Sequence, residues 1–138
     1  MDECAFCEIV AGAAASRVFE DERAVAFLDL FPVHPGHVLL VPRQHVRDLA
    51  TCPAELAGYL FALAGRVGPG AVRAVAGDGF NVWTASGAAA GQEVFHLHLH
   101  VLPRFAGDAF GLRFPKSYPR KASRTELDEM AARIRREL

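Results

Sequence analysis

The sequence has no apolar run approaching the roughly 20 residues that a membrane-spanning helix requires, so no contact with a membrane is expected. It also lacks a strong charge of either sign. The 15 Lys and Arg side chains stand against 16 Asp and Glu, for a formal net charge of -1. Broad electrostatic attraction to nucleic acid is therefore not expected. Residues 1–4 lack the basic start and apolar stretch of a signal peptide, and we expect a cytoplasmic protein.

Cysteine is scarce: Cys4, Cys7 and Cys52 are the three in 138 residues. An odd number, in a chain with no export signal, argues against a disulfide framework. Cys4 and Cys7 form a Cys-x-x-Cys pair, which is half of a zinc site or a redox pair. The redox interpretation needs a βαβ context, and almost no chain precedes this pair. Taken alone, the pair fits a zinc site and two small apolar residues equally well.

The composition, 51% apolar and 22% charged, is that of a globular protein, and we expect residues 1–138 to form one domain. Hydrophobic periodicity predicts helices and strands in an α+β arrangement, an antiparallel sheet with one long helix and terminal helices. The predicted helices are 6–10, 51–67 with Thr51 as its cap, 71–76 after a break at Gly68-Pro69-Gly70, and 125–138 with a Thr125–Asp128 capping box. The predicted strands are 18–20, 24–28, 38–41, 80–84 and 94–102, the last ended by Pro103.

Three of the six histidines alternate with apolar residues in the segment 95–101. On a strand, alternate residues share a face. The apolar set, which begins at Phe95, is therefore predicted to enter the core, while His96, His98 and His100 line the opposite face. Such a row favours one of two chemistries: a metal site built on a His-x-His pair, or nucleophilic attack by one histidine while its neighbours bind the electrophile.

Residues 91–104, which read Gly-Gln-Glu-Val-Phe-His-Leu-His-Leu-His-Val-Leu-Pro-Arg, resemble the signature of the histidine triad (HIT) family. Residues 4–10 resemble the start of its zinc-bearing bacterial members, and residues 26–29 and 35–45 resemble its central strands. The resemblance runs from about residue 4 to residue 104, with a helical tail at 120–138. It implies a HIT-like fold and a homodimer formed through the long helix and part of the sheet.

The resemblance also implies a nucleotide hydrolase or transferase. His98, the middle histidine, matches the nucleophile, which attacks the α-phosphorus of a nucleoside phosphoramidate or dinucleoside polyphosphate and forms a nucleotidyl-histidine. His100 matches the histidine that contacts the phosphate. The expected ligand is a purine nucleotide such as AMP or an adenosine-phosphate conjugate. The residues that match substrate-binding positions are Asp29 for ribose, His37 behind the triad, and Gln92, Glu93 and Val94 near the phosphate.

In zinc-bearing relatives, a Cys-x-x-Cys pair joins a histidine after the central strand and the first triad histidine. The matching residues here are Cys4, Cys7, His45 and His96. Such a Cys2His2 set has no open coordination position, so the expected cofactor is a structural zinc.

Two residues depart from the family pattern. Ala85 stands where relatives often carry Asn or Gln, and Glu93 stands where many carry Ser or Thr. The first change removes a polar contact to the reacting region, and the second places a carboxylate near the expected phosphates. They motivate one alternative, a nucleotide-binding or regulatory module with little catalysis. Another alternative is a metal-dependent hydrolase with His96 and His98 on a catalytic ion.

Overall fold

A computed structural model describes residues 3–138 of the chain. It divides into two compact units, the first ending at Asp108 and the second spanning Ala109–Leu138. The elements of the first unit are helix α1 (Ala5–Val10), strands β1 (Arg17–Glu20), β2 (Ala24–Leu28) and β3 (Val38–Pro42), helix α2 (Ala54–Val75), and strands β4 (Gly79–Trp83) and β5 (Leu99–Arg104). The second unit contains helix α3 (Arg124–Glu137). The prediction of one domain over residues 1–138 stays a prediction.

The five strands form one sheet in the order β1-β2-β3-β5-β4, and all four pairings are antiparallel. The last strand in the sequence therefore lies between β3 and β4. The long helix α2 covers one face, where Leu56, Leu60 and Leu63 pack against residues that include Leu40 and Leu99. The short helix α1 packs on the other face, where Phe6 joins a smaller cluster. The predicted antiparallel α+β architecture is confirmed.

Helix α2 is continuous where the sequence predicts a break at Gly68-Pro69-Gly70. A Cβ on Gly68 would lie 2.2 Å from a ring carbon of Phe80, so the missing side chain lets helix and strand approach closely. Pro69 removes one hydrogen bond to the carbonyl of Gly65, which lies on the exposed side and can be solvated. The predicted pieces 51–67 and 71–76 are thus one helix, and Thr51 belongs instead to a 3₁₀ turn, Leu49–Thr51.

Strand β5 begins later and ends later than predicted. It spans Leu99–Arg104 instead of 94–102, and Pro103 lies inside it. Val38, the first residue of β3, pairs with Val101, so β5 has already passed the start of β3 at Pro103. Proline is tolerated there because one side of the strand has no neighbour. The C-terminal helix also differs in its cap, since Ser123 and Glu126 form the capping box instead of Thr125 and Asp128.

None of the helices that the structure describes is both long and apolar enough to span a bilayer.

Candidate functional site

The triad segment bends before it enters β5, so only His100 of the three histidines lies in the strand. The backbone N–H of Leu97 donates to the carbonyl of Val46 at 2.7 Å, outside the sheet ladder. Because the pleat is broken there, Phe95 is 47% exposed, and its predicted place in the core is wrong. Leu97 is buried as predicted, and His96 and His98 are also buried.

Main-chain contacts fix the tautomer of His98. Its Nδ1 lies 2.8 Å from the carbonyl oxygen of His96, which can only accept, so Nδ1 carries the proton. The lone pair is therefore on Nε2. The hydroxyl of Thr84 donates to the carbonyl of His98 at 2.8 Å and holds the backbone at this residue. The ring edge of Phe6 packs against the imidazole at 5.1 Å between centroids. In its neutral form, the His98 imidazole therefore has Nε2 available as the unprotonated nitrogen.

A hydrogen-bonded relay fixes His100 in the opposite tautomer. The backbone N–H of Val33 donates to His37 Nδ1 at 3.2 Å, so the proton of His37 is on Nε2. That nitrogen lies 2.9 Å from Nδ1 of His100, which must accept. The proton of His100 is therefore on Nε2. The rings of His98 and His100 are 5.1 Å apart, and the site presents one nitrogen lone pair beside one N–H donor.

Burial keeps both members of the relay uncharged near neutral pH. Loss of solvent, together with the charges of His98 and His37, lowers the pKa of His100 to about 4, while Asp29 opposes the shift. Burial also lowers the pKa of His37, against the opposing effect of Asp29. His100 is therefore a neutral hydrogen-bond donor in this arrangement.

These directions predict how stability depends on pH. Between about pH 6.5 and pH 4 an unfolded chain protonates His100 while the folded chain does not, so the free energy of unfolding falls as pH is lowered. The expected loss is on the order of 3 kcal/mol. Urea unfolding at pH 7.0, 5.5 and 4.5 measures it. His100→Gln should show a shallower pH dependence than wild type. Equal pH dependence in wild type and His100→Gln would contradict the assignment.

Asp29 lies at the edge of the relay. Its Oδ1 accepts the backbone N–H of Phe31 at 2.9 Å, and its Oδ2 lies 3.7 Å from His37 Nε2. The backbone N–H of Asp29 donates to the carbonyl of His37 at 2.9 Å. The carboxylate is thereby held beside His37, and ribose binding by Asp29 stays a prediction.

The loop before the triad is organised by Gln92, whose side chain is buried. Its Oε1 accepts from the N–H of Gly87 at 2.8 Å, and its Nε2 donates to the carbonyls of Arg47 and Val94. Gly87 has a φ of +94°, a conformation that favours glycine. Both ends of the Gln92 amide are thus used to shape the loop. Glu93 is exposed, and Val94 is half-buried against the cluster around Phe6. Phosphate binding by Gln92, Glu93 and Val94 stays a prediction.

Four ligand atoms from Cys4, Cys7, His45 and His96 lie within 4.8 Å of one another. Nδ1 of His96 lies 3.4 Å from the sulfur of Cys4, 3.5 Å from that of Cys7 and 3.2 Å from Nδ1 of His45. Tetrahedral zinc with bonds of about 2.3 Å to sulfur and about 2.0–2.1 Å to nitrogen separates its ligand atoms by about 3.3–3.8 Å. The spacing of the four donors fits such an ion.

The protonation of His96 also fits a metal ligand. Its Nε2 donates to the carbonyl of Pro42 at 2.9 Å, which leaves Nδ1 bare and directed at the two thiols. Cys4 caps helix α1 through a bond from the N–H of Cys7 to its sulfur, which fixes the pair. Loss of solvent and the neighbouring Cys4 raise the pKa of the Cys7 thiol to about 11. A bound cation would reverse that preference, since metal-bound thiols are deprotonated.

A second group, Asp29, His37 and His100, also has ligand atoms within 4.8 Å of one another. Its hydrogen bonds suit a relay rather than a metal, because His37 Nδ1 accepts from Val33 and Nε2 must then keep its proton. The bare nitrogen of His96, in turn, faces the cysteines. This arrangement favours a closed Cys2His2 set over a catalytic ion shared by His96 and His98.

Sequence reasoning missed two residues at the end of β4. Thr84 holds the backbone of His98, and Trp83 stacks on the ring of His100. Both follow from the pairing of β4 with β5, which sets Trp83 opposite His100. The sequence offered one indication of these residues, because the single tryptophan of the chain lies near the end of a predicted strand.

The chain is similar in sequence and structure to known proteins. A family profile described as the HIT domain matches residues 11–107. A Streptococcus mutans protein of known structure is 38% identical, with a TM-score of 0.92, over 99% of this chain and 86% of its own. A zinc-bound histidine triad family protein from Mycobacterium smegmatis is 36% identical, with a TM-score of 0.76, over 99% of this chain and 98% of its own. An adenylylsulfatase, HINT3 from Arabidopsis thaliana, is 33% identical over 104 residues, 75% of this chain and 53% of that protein.

Proposed function

The chain belongs to the HIT family, and from that premise we propose that it is a nucleotide hydrolase or transferase that reacts through His98. HIT proteins bind nucleotides, and the family includes nucleotide hydrolases such as the Arabidopsis adenylylsulfatase. The observation that carries the proposal is the tautomer of His98. Its Nδ1–H is bound to the carbonyl of His96, so the nucleophilic lone pair is on Nε2.

The proposed reaction has two displacements at the α-phosphorus. Nε2 of His98 forms a bond to phosphorus, and the leaving group departs with the bonding electron pair and a proton from solvent. The nucleotidyl-imidazolium that results keeps its Nδ1–H on the carbonyl of His96, which stabilises the positive charge. Water then attacks the phosphorus and releases a proton, and the P–N bond breaks to return the electron pair to His98.

His100 and Asp29 have supporting roles in this proposal. The Nε2–H of His100, set by the relay from His37, donates to a non-bridging phosphoryl oxygen beside His98. The carboxylate of Asp29 accepts a hydrogen bond from a ribose hydroxyl. Its place beside the relay supports a nucleoside monophosphate group, such as that of AMP or an adenosine-phosphate conjugate, as the transferred unit.

We further propose that Cys4, Cys7, His45 and His96 hold a structural zinc, supported by the convergence of their donors and by the zinc-bound M. smegmatis relative. Such an ion would tie α1 to the segment that carries the triad, without an open position for chemistry. Homodimerisation stays a prediction, which sedimentation of the zinc-loaded protein can check.

Intact-protein mass spectrometry tests the covalent step. Zinc-loaded protein is mixed with adenosine 5′-phosphoramidate or a diadenosine polyphosphate, and the reaction is quenched without acid. Wild type is expected to gain the mass of one adenylyl group, while His98→Ala is expected to gain none. An equal adduct on both chains would reject His98 as the nucleophile. AMP binding without an adduct or turnover would instead identify a nucleotide-binding module, the role that Ala85 and Glu93 motivate.

A further inference from the structure

Trp83 makes a close ring contact in the site, yet the proposed mechanism gives it no part. Its indole lies parallel to the imidazole of His100, with 4.5 Å between the ring centroids and 6° between the planes. The two residues are directly opposite each other in the antiparallel pairing of β4 with β5. The stack is therefore built on two paired strands, which are more rigid supports than loops.

The other contacts of His100 leave one edge of its ring available. Nδ1 accepts from His37, and the ring of His98 approaches at 5.1 Å with a 64° tilt. Trp83 covers a face of the imidazole. Rotation of the His100 ring out of its plane would break the 2.9 Å bond to His37 and redirect the Nε2–H. A flat indole against the imidazole opposes that rotation in addition to the bond from His37.

We propose that Trp83 is a positioning residue, whose stack on His100 keeps the imidazole bonded to His37 and its Nε2–H directed at the phosphoryl group beside His98. This inference rests on the proposed function, because it assigns His100 a donor role in that reaction. Trp83 itself touches neither the phosphorus nor the leaving group in this scheme. Its contribution is the orientation of one hydrogen-bond donor.

The orientation can be measured without turnover. Long-range ¹H–¹⁵N spectra of the zinc-loaded protein distinguish the two neutral histidine tautomers, and the His100 signals are assigned from their absence in His100→Gln. Wild type is expected to show the Nε2–H tautomer alone. Trp83→Val, which suits the end of a strand, is expected to give shifts averaged between tautomers, and Trp83→Phe is expected to restore the wild-type pattern. If the valine variant does not fold, Trp83→Leu provides the same comparison.

Kinetics supply the second readout. Trp83→Val is expected to lower kcat on the order of 10- to 100-fold, with KM within about threefold of wild type, because the misplaced group acts in the transition state. Trp83→Phe should recover most of kcat. The matched control is Phe114→Leu, which removes another stacked aromatic pair, with Tyr118, in the C-terminal unit. That variant should leave kcat unchanged.

The outcomes separate this inference from the proposed function. Unchanged His100 shifts in Trp83→Val would overturn the positioning role, and so would averaged shifts with a wild-type kcat. If wild type itself shows no turnover, the proposed function fails. The tautomer spectra then still decide whether Trp83 orients His100.

Discussion

Replacement of His98 by alanine is expected to lower kcat by at least about 10³-fold, because no other side chain that the structure describes in the site offers a nitrogen lone pair in the same position. His100 cannot substitute, since its Nδ1 accepts from His37 and its Nε2 carries a proton. Steady-state release of AMP from adenosine 5′-phosphoramidate by the zinc-loaded protein measures the effect.

The control for this prediction is His34→Gln. His34 contacts Asp108 and has no role in the proposed reaction, so this variant should keep wild-type kcat. His98→Ala should keep the wild-type Tm and the wild-type affinity for AMP, which would place the defect in the chemical step. Turnover by His98→Ala within about tenfold of wild type would rule out the covalent histidine mechanism.

Loss of the Cys2His2 donors is expected to have the largest effect on stability. Wild type should carry one zinc per chain, and Cys4→Ser/Cys7→Ser should carry none. The double variant should unfold about 10–20 °C below wild type, because a metal that binds only the folded state contributes several kcal/mol. Serine can still cap helix α1 through its oxygen, so the comparison isolates the metal from the cap. Elemental analysis and thermal unfolding measure the two effects.

Cys52→Ser is the matched control for the double variant, because Cys52 lies outside the cluster. It should keep both the zinc and the wild-type Tm. Chelation should lower the Tm of wild type toward that of the double variant and leave the double variant unchanged. A wild-type chain without zinc, or with a Tm insensitive to chelation, would disprove the structural role.

In the histidine segment, sequence periodicity predicted a longer strand than the structure contains. Alternation assigned Phe95, Leu97 and Leu99 to the core and the histidines to the opposite side. Leu97 and Leu99 are buried as that pattern requires, whereas Phe95 is 47% exposed. The backbone up to His98 is nevertheless not a strand, because Leu97 bonds to Val46 instead of to a ladder partner. Side-chain periodicity responds to burial, and it cannot reveal which backbone groups pair.

The break predicted in α2 failed for a different physical reason. Glycine and proline end helices by local preference, and tertiary packing overrode that preference because Gly68 admits Phe80. Trp83 and Thr84 were not predicted because their contacts depend on the register between β4 and β5. Register is a long-range property that one sequence does not display. The donors of the Cys2His2 set were accessible from sequence only because their spacing resembles a known family.

The position of β5 between β3 and β4 has a consequence for the order in which a growing chain can fold. Among the described strands, β4 pairs only with β5, and β5 is the last of the five to be synthesised. A nascent chain that ends before Leu99 therefore lacks the strand that joins β3 to β4. Insertion of β5 pairs two edges at once and brings His100 opposite Trp83. Completion of the sheet and assembly of the site therefore depend on the same strand.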